Sequence, residues 1–205
     1  MNHTTLSFFR SYAYLVWLLV AISCSPREVD ESKLREYILD TKNGVVKLYE
    51  RNGLIVKVKY KPNDFFSLSR LRSDTSLKIE NLRKEIDKKL FMTLSISLNG
   101  HEIENTMYNM PGDFGKKIEA LSFGMNPYLF ASNTKQDTIP MLSYYYERTF
   151  GVKNSTTFLL TFDRKKVLEE EKFDINVSLP LINLDNVSFS FLTSDIKKVP
   201  SLKID

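Results

Sequence analysis

Few residues in this chain are of the type that does chemistry. The sequence has two histidines, and only His101 lies beyond the first ten residues. It follows Asn99-Gly100 and precedes Glu102 and Glu104, which is the one place where a metal-ligating group could gather. Zinc sites need three or four convergent donors. On a strand, His101 and Glu102 would face opposite ways, so His101 reads more simply as an exposed turn residue, and no metal is expected. A Ser-His-Asp triad would have to use the same histidine, and no serine sits in a G-x-S-x-G elbow. Glycoside hydrolysis needs only two carboxylates. Asp163 and Asp174 are candidates, although 25 acidic residues supply such pairs by chance. The "GDFG" at 112–115 lacks the glycine-rich and catalytic loops of a kinase and reads as helix punctuation. No phosphate-binding loop, dinucleotide fingerprint or calcium loop is present. The expectation is a protein that is not an enzyme, with no catalytic residue and no cofactor.

The most unusual patch is "MLSYYYERTF" at 141–150. On a strand, Tyr144 and Tyr146 share one face and Tyr145 takes the other. Two readings stay open. In the first, the pair is buried in a core and Tyr145 is half exposed. In the second, one tyrosine face is an interface that stacks on a glycan or a peptide, since a tyrosine ring buries area while its hydroxyl stays wet.

Cys24 is the only cysteine, and it closes an apolar run, "YLVWLLVAISC". Ala13 to Ile22 is ten residues long, within the ~7–15 of a secretory h-region and short of the ~20 of a membrane span. Small residues follow at Ala21 and Ser23. This order predicts a signal peptide over 1–23. "AISC" resembles the lipobox of bacterial lipoproteins, with Ala21 where Leu is usual and Ile22 where Ala or Ser is usual. The resemblance implies that Cys24 becomes an acylated N-terminus. One acyl chain binds a membrane only marginally, and each buried CH₂ adds about 0.8 kcal/mol, so several chains anchor almost permanently. Ser25, in place of the Asp that retains lipoproteins in an inner membrane, points to the outer membrane. A lone cysteine leaves no disulfide for the folded body.

Removing 1–23 leaves 182 residues, enough for one domain burying roughly 70% of its unfolded surface. With Arg10 gone, 28 basic residues face 25 acidic ones. That balance is too even for a nucleic-acid partner.

The elements that must carry these residues are mostly strands. Residues 24–36 are polar and predict a tether; 37–205 predict a single β-rich domain. "VVKLYERNGLIVKVKY" gives two β runs around Asn52-Gly53, a dipeptide suited to a tight hairpin. Leu54, Val56, Val58 and Tyr60 alternate with Ile55, Lys57 and Lys59, which predicts one apolar and one mainly cationic face. Asn63 or Asp64 could cap a helix at Phe65. Ile79, Leu82, Ile86 and Leu90 form a helical stripe, with opposite charges paired at Glu80–Lys84, Arg83–Asp87 and Glu85–Lys89. Strands are expected around 94–98, 128–132, 139–150, 156–162, 173–179 and 187–191, and a helix over 113–123. Asp185-Asn186 could join the last two strands as a hairpin. The fold class is α+β, mainly β: a twisted antiparallel sheet or a β-sandwich with two or three helices inserted between strands.

With Asn43, Gly44, Lys47, Asn52, Gly53, Tyr60 and Pro62 in this order behind the Cys24 leader, and "SFSFLTSDIKKVPSL" near the end, the chain resembles uncharacterised lipoproteins of Bacteroidota. The resemblance implies an envelope location and a β-rich fold, and it brings no catalytic residue. The expected function is a lipid-anchored, non-enzymatic binding or assembly module. Its partners would be the membrane and an envelope protein or glycan. A glycan-binding lipoprotein, or an envelope glycan hydrolase using paired carboxylates, is the alternative.

Overall fold

The computed structural model describes residues 27–73, 84 and 86–203. The leader with Cys24, and the Ile79–Leu82 part of the helical stripe with its charge pairs, lie outside the described residues.

The alternation around Asn52-Gly53 produces the expected hairpin. Strands β2 (Val46–Arg51) and β3 (Leu54–Lys61) pair antiparallel from Val46↔Lys59 to Arg51↔Leu54. Asn52 and Gly53 both adopt positive φ, 50° and 78°, the geometry that lets a two-residue turn match strand twist. A side chain at Gly53 would collide with Asn99, whose amide donates to the Gly53 carbonyl at 2.8 Å. The two Asn-Gly turns therefore sit against each other at one end of the sheet.

Three more strands complete that sheet. They are β4 (Lys89–Leu98), β7 (Met141–Glu147) and β8 (Thr156–Asp163), in the order β2-β3-β4-β8-β7, all antiparallel. A second antiparallel sheet runs β10-β9-β5-β6, with β5 (Leu129–Ser132), β6 (Thr138–Ile139), β9 (Lys172–Leu179) and β10 (Leu184–Leu192). One core joins them. Val56, Leu94 and Phe158 from the first sheet and Ile175, Val177 and Phe191 from the second are fully buried in the same cluster. Period-two patterning accounts for this, since each strand sends alternate apolar residues to one side. The mainly-β α+β expectation holds.

Six α-helices are described, more than the two or three expected: α1 (Glu31–Leu39), α2 (Asn63–Ser73), α3 (Ile103–Tyr108), α4 (Phe114–Phe123), α5 (Arg164–Leu168) and α6 (Thr193–Lys197). Three have only five or six residues and leave no period a sequence can show. Among the described residues no helix is long and apolar enough to cross a membrane.

Three expectations need correction. The tether over 24–36 is not free along its length. Strand β1 (Glu28–Val29) pairs in parallel with β11 (Ser201–Leu202), and α1 buries Leu34 and Ile38 beside Leu202. Two apolar residues at i, i+4 suffice to dock that polar helix. The helical stripe does not reach Leu90, which lies in β4. The β9–β10 hairpin turns at Pro180–Ile182 with Asn183 left-handed, while Asp185 and Asn186 occupy a register shift inside β10.

Candidate functional site

The inner face of the five-stranded sheet is core. Its outer face carries Tyr145 and, at one end, a groove of mixed polar and apolar lining. The register gives cross-strand rows: Lys59, Thr93, Leu159 and Tyr145 lie side by side, and Lys57, Ser95, Thr157 and Glu147 form the next row. Much of this face is hydroxyl, lysine and tyrosine, and Tyr145 is 63% exposed on it.

At one end of the face α1 and α2 rise as walls and enclose a groove of about 590 Å³, within the ~300–1,000 Å³ usual for small-ligand sites. Arg35 and Ile38 come from α1, Lys59 and Lys61 from the floor strand β3, and Phe65 and Phe66 from α2. α1 is held there by its buried Leu34–Ile38 stripe. α2 is pinned by Asn63, whose side-chain amide donates to the carbonyls of Ile86 (3.0 Å) and Lys89 (3.2 Å), and by Asp64, which accepts from the Leu202 amide at 2.7 Å.

The electrostatics of the groove are unbalanced. Glu31 pairs with Arg35 at 2.6 Å, and Glu147 pairs with Lys153 at 2.7 Å. Among the described residues neither Lys59 nor Lys61 forms a salt bridge. Burial, then the neighbouring charges of Lys57, Lys61 and Arg35, push the Lys59 ammonium below the ordinary lysine range. Burial does the same to Lys61, with Glu147 opposing and Arg35 adding to it. Lys61 rests on the Phe66 ring with its nitrogen 4.3 Å from the centroid, and the Arg35 guanidinium lies 4.9 Å from that of Phe65. Such cation–π contacts hold the stems and leave N–H donors free.

A second, smaller pocket of about 240 Å³ lies at the ends of β7 and α3, rimmed by Tyr108, Phe114 and Phe150. Glu104 is at its floor. The Tyr146 hydroxyl donates to Glu104 Oε1 at 2.5 Å, and the Thr156 hydroxyl donates to Oε2. Thr156 Oγ1 in turn accepts from the Ile103 amide at 3.0 Å. Glu102, only 1% exposed, accepts from the Gly151 amide at 2.5 Å through Oε2, while its Oε1 has no partner. Burial raises the Glu102 carboxyl above its ordinary range, the Gly151 amide opposes this, and Glu104 adds to it. Burial, then the bond to Glu104, raises the Tyr146 phenol, so it stays a donor.

These geometries place the sequence candidates. Tyr146 is 7% exposed and packs on Phe158, with ring centroids 5.4 Å apart. Tyr144 is half-buried, 6.3 Å from the same ring, and its hydroxyl accepts from the Met125 amide at 3.1 Å. The tyrosine pair is thus turned inward, and Tyr145 alone of the three faces out. His101 is exposed, and its backbone bridges Leu98. Glu102 and Glu104 turn into the body, so no group of three His, Cys, Asp or Glu side chains gathers among the described residues. Asp163 and Asp174 do not converge. Asp163 ends β8 and caps α5 by accepting from the Lys166 amide at 3.1 Å. Asp174, in the other sheet, accepts from the Ser190 hydroxyl at 2.6 Å.

Sequence reading found the cationic face of β3 and the helix at Asn63–Asp64 that forms one wall, but not the other wall, because α1 looks like linker. It missed Glu104–Tyr146, a contact across 42 positions that leaves no local signal. No family model, no curated protein and no solved structure matches this chain.

Proposed function

We propose that this protein is a lipid-anchored, extracytoplasmic binding or assembly module of the cell envelope, of the kind found among Bacteroidota lipoproteins. In this reading acylation of Cys24 tethers it to the outer membrane. The outer face of the five-stranded sheet, with the groove at its end, receives the partner. The observation that carries the binding reading is the Lys59–Lys61 pair. Two partly buried cations on one strand, neither in a salt bridge among the described residues, cost stability in the free protein, and an incoming anionic group would offset that cost.

The anchor and the binding face are tested separately. Cys24→Ala should abolish palmitate labelling and release the protein from sedimented vesicles; unchanged labelling would remove the anchor. Immunoprecipitation of tagged protein from membranes should recover a reproducible envelope partner, less of it with Lys59→Glu. Equal recovery by the variant would move the interface elsewhere.

The alternative of glycan binding gains one specific support. The smaller pocket is rimmed by Tyr108 (71% exposed) and Phe150 (78% exposed). Exposed aromatic rings at the rim of a pocket suit stacking on a sugar ring. Retention on immobilised envelope glycan, lost in Tyr108→Ala, would favour it over the groove.

A further inference from the structure

The geometry points to the groove between α1 and α2 as a site for an amphiphilic anion: a phosphate- or carboxylate-headed lipid whose head meets Lys59 and Lys61 and whose tail lies against α1 and α2. The inference rests on the binding reading above and names the ligand class of the same face.

Three observations converge on it. The first is spacing. Lys59 and Lys61 are two residues apart on one face of a strand, about 7 Å between Cα atoms. Two flexible ammoniums at that separation can close on one oxyanion. The Thr93 hydroxyl, directly across from Lys59, lines the same groove. The second is charge. The acids that line the groove, Glu31 and Glu147, are engaged by Arg35 and Lys153, so the uncompensated charge is positive. Burial is the largest cause of the lowered protonation range of both lysines, and the Glu147 carboxylate only partly opposes it at Lys61. The third is the wall. Ile38, Leu39, Pro62, Phe65, Phe66 and Leu68 form an apolar lining directly beside the cations. A free inorganic anion would leave that lining wet, and a neutral lipid would leave the lysines without a partner. Only a ligand with both parts satisfies both.

Titration calorimetry on the full-length protein in a neutral maltoside detergent tests this with three probes: octyl phosphate, inorganic phosphate and octanol. Octyl phosphate should bind at least tenfold tighter than either of the others. The double variant Lys59→Gln/Lys61→Gln should lose at least tenfold for octyl phosphate. Phe66→Ala should weaken octyl phosphate and leave inorganic phosphate unchanged. Lys57→Gln, exposed on the same strand, should bind within twofold of the parent. Equal binding of inorganic phosphate would make this a free-anion site, and equal binding of octanol a purely apolar one. Undiminished affinity in the double variant, or no octyl phosphate binding at all, would overturn the inference. These results are independent of palmitate labelling and partner recovery, so either proposal can fail without the other.

Discussion

The pocket at Glu104 and the groove at Lys59 both hold charge away from bulk water, and they treat it in opposite ways. At Glu104 the carboxylate is answered from within. Tyr146 and Thr156 donate to its two oxygens, and Thr156 accepts from the backbone of Ile103. The network closes on itself and ties α3 to β7 and β8. At Lys59 and Lys61 nothing described closes the circuit. The comparison teaches that buried charge alone does not mark a binding site. What matters is whether the hydrogen-bonding capacity is already spent on the fold.

If that contrast is right, damage to the acidic network should be the costlier. Glu104→Ala leaves the Tyr146 and Thr156 hydroxyls without an acceptor in the interior. Each unsatisfied group costs about 1–3 kcal/mol, so a loss of about 3 kcal/mol is expected in urea unfolding. A loss below about 0.5 kcal/mol would show that the network is decorative. Next comes pH. Glu102 has a folded pKa raised above its ordinary 4.5. The native state therefore holds the proton more tightly than the unfolded chain does. That contribution is fully present below pH 4.5 and is lost as pH rises through the folded value. Unfolding free energy should decline over this window, and Glu102→Gln should flatten the decline. An identical slope in the variant would assign it to another group.

The groove should respond with the opposite sign. Lys59 carries a lowered pKa, so its charged form is a burden at neutral pH that is relieved as pH climbs into the lysine range. Lys59→Met should melt at or above the parent temperature, where a satisfied buried charge would melt below it. The smallest effect belongs to Tyr145, which is exposed on the same sheet. Tyr145→Ala should alter stability by no more than about 0.5 kcal/mol. A larger loss would mean that the outer face is packed rather than open.

The strands around residues 94–98, 173–179 and 187–191 could be read directly because their apolar residues alternate strictly with polar ones. The hairpin at Asn52-Gly53 could be read because only a few residues tolerate positive φ. The same local logic fails at α1. There a nine-residue helix with four charged side chains docks mainly through Leu34 and Ile38. It fails also at Asp185-Asn186, where a turn-favouring pair sits inside a strand because Pro180 and Asn183 had already reversed the chain. For the tyrosines, alternation divided the three correctly between two faces, and it carried no information on which face was core.

The sequence by itself determined the strand periods, the turn dipeptides and the cationic stripe on β3, because each is written in residues within a few positions of one another. Only the tertiary structure decided what those features mean. The pairing of β1 with β11 brings residues 28–29 to residues 201–202, and Asp64 reaches across 138 positions to the Leu202 amide. That closure sets α1 and α2 over the lysines and turns a wet sheet face into a groove. Contacts at such separations follow from chain packing, and no local pattern encodes them.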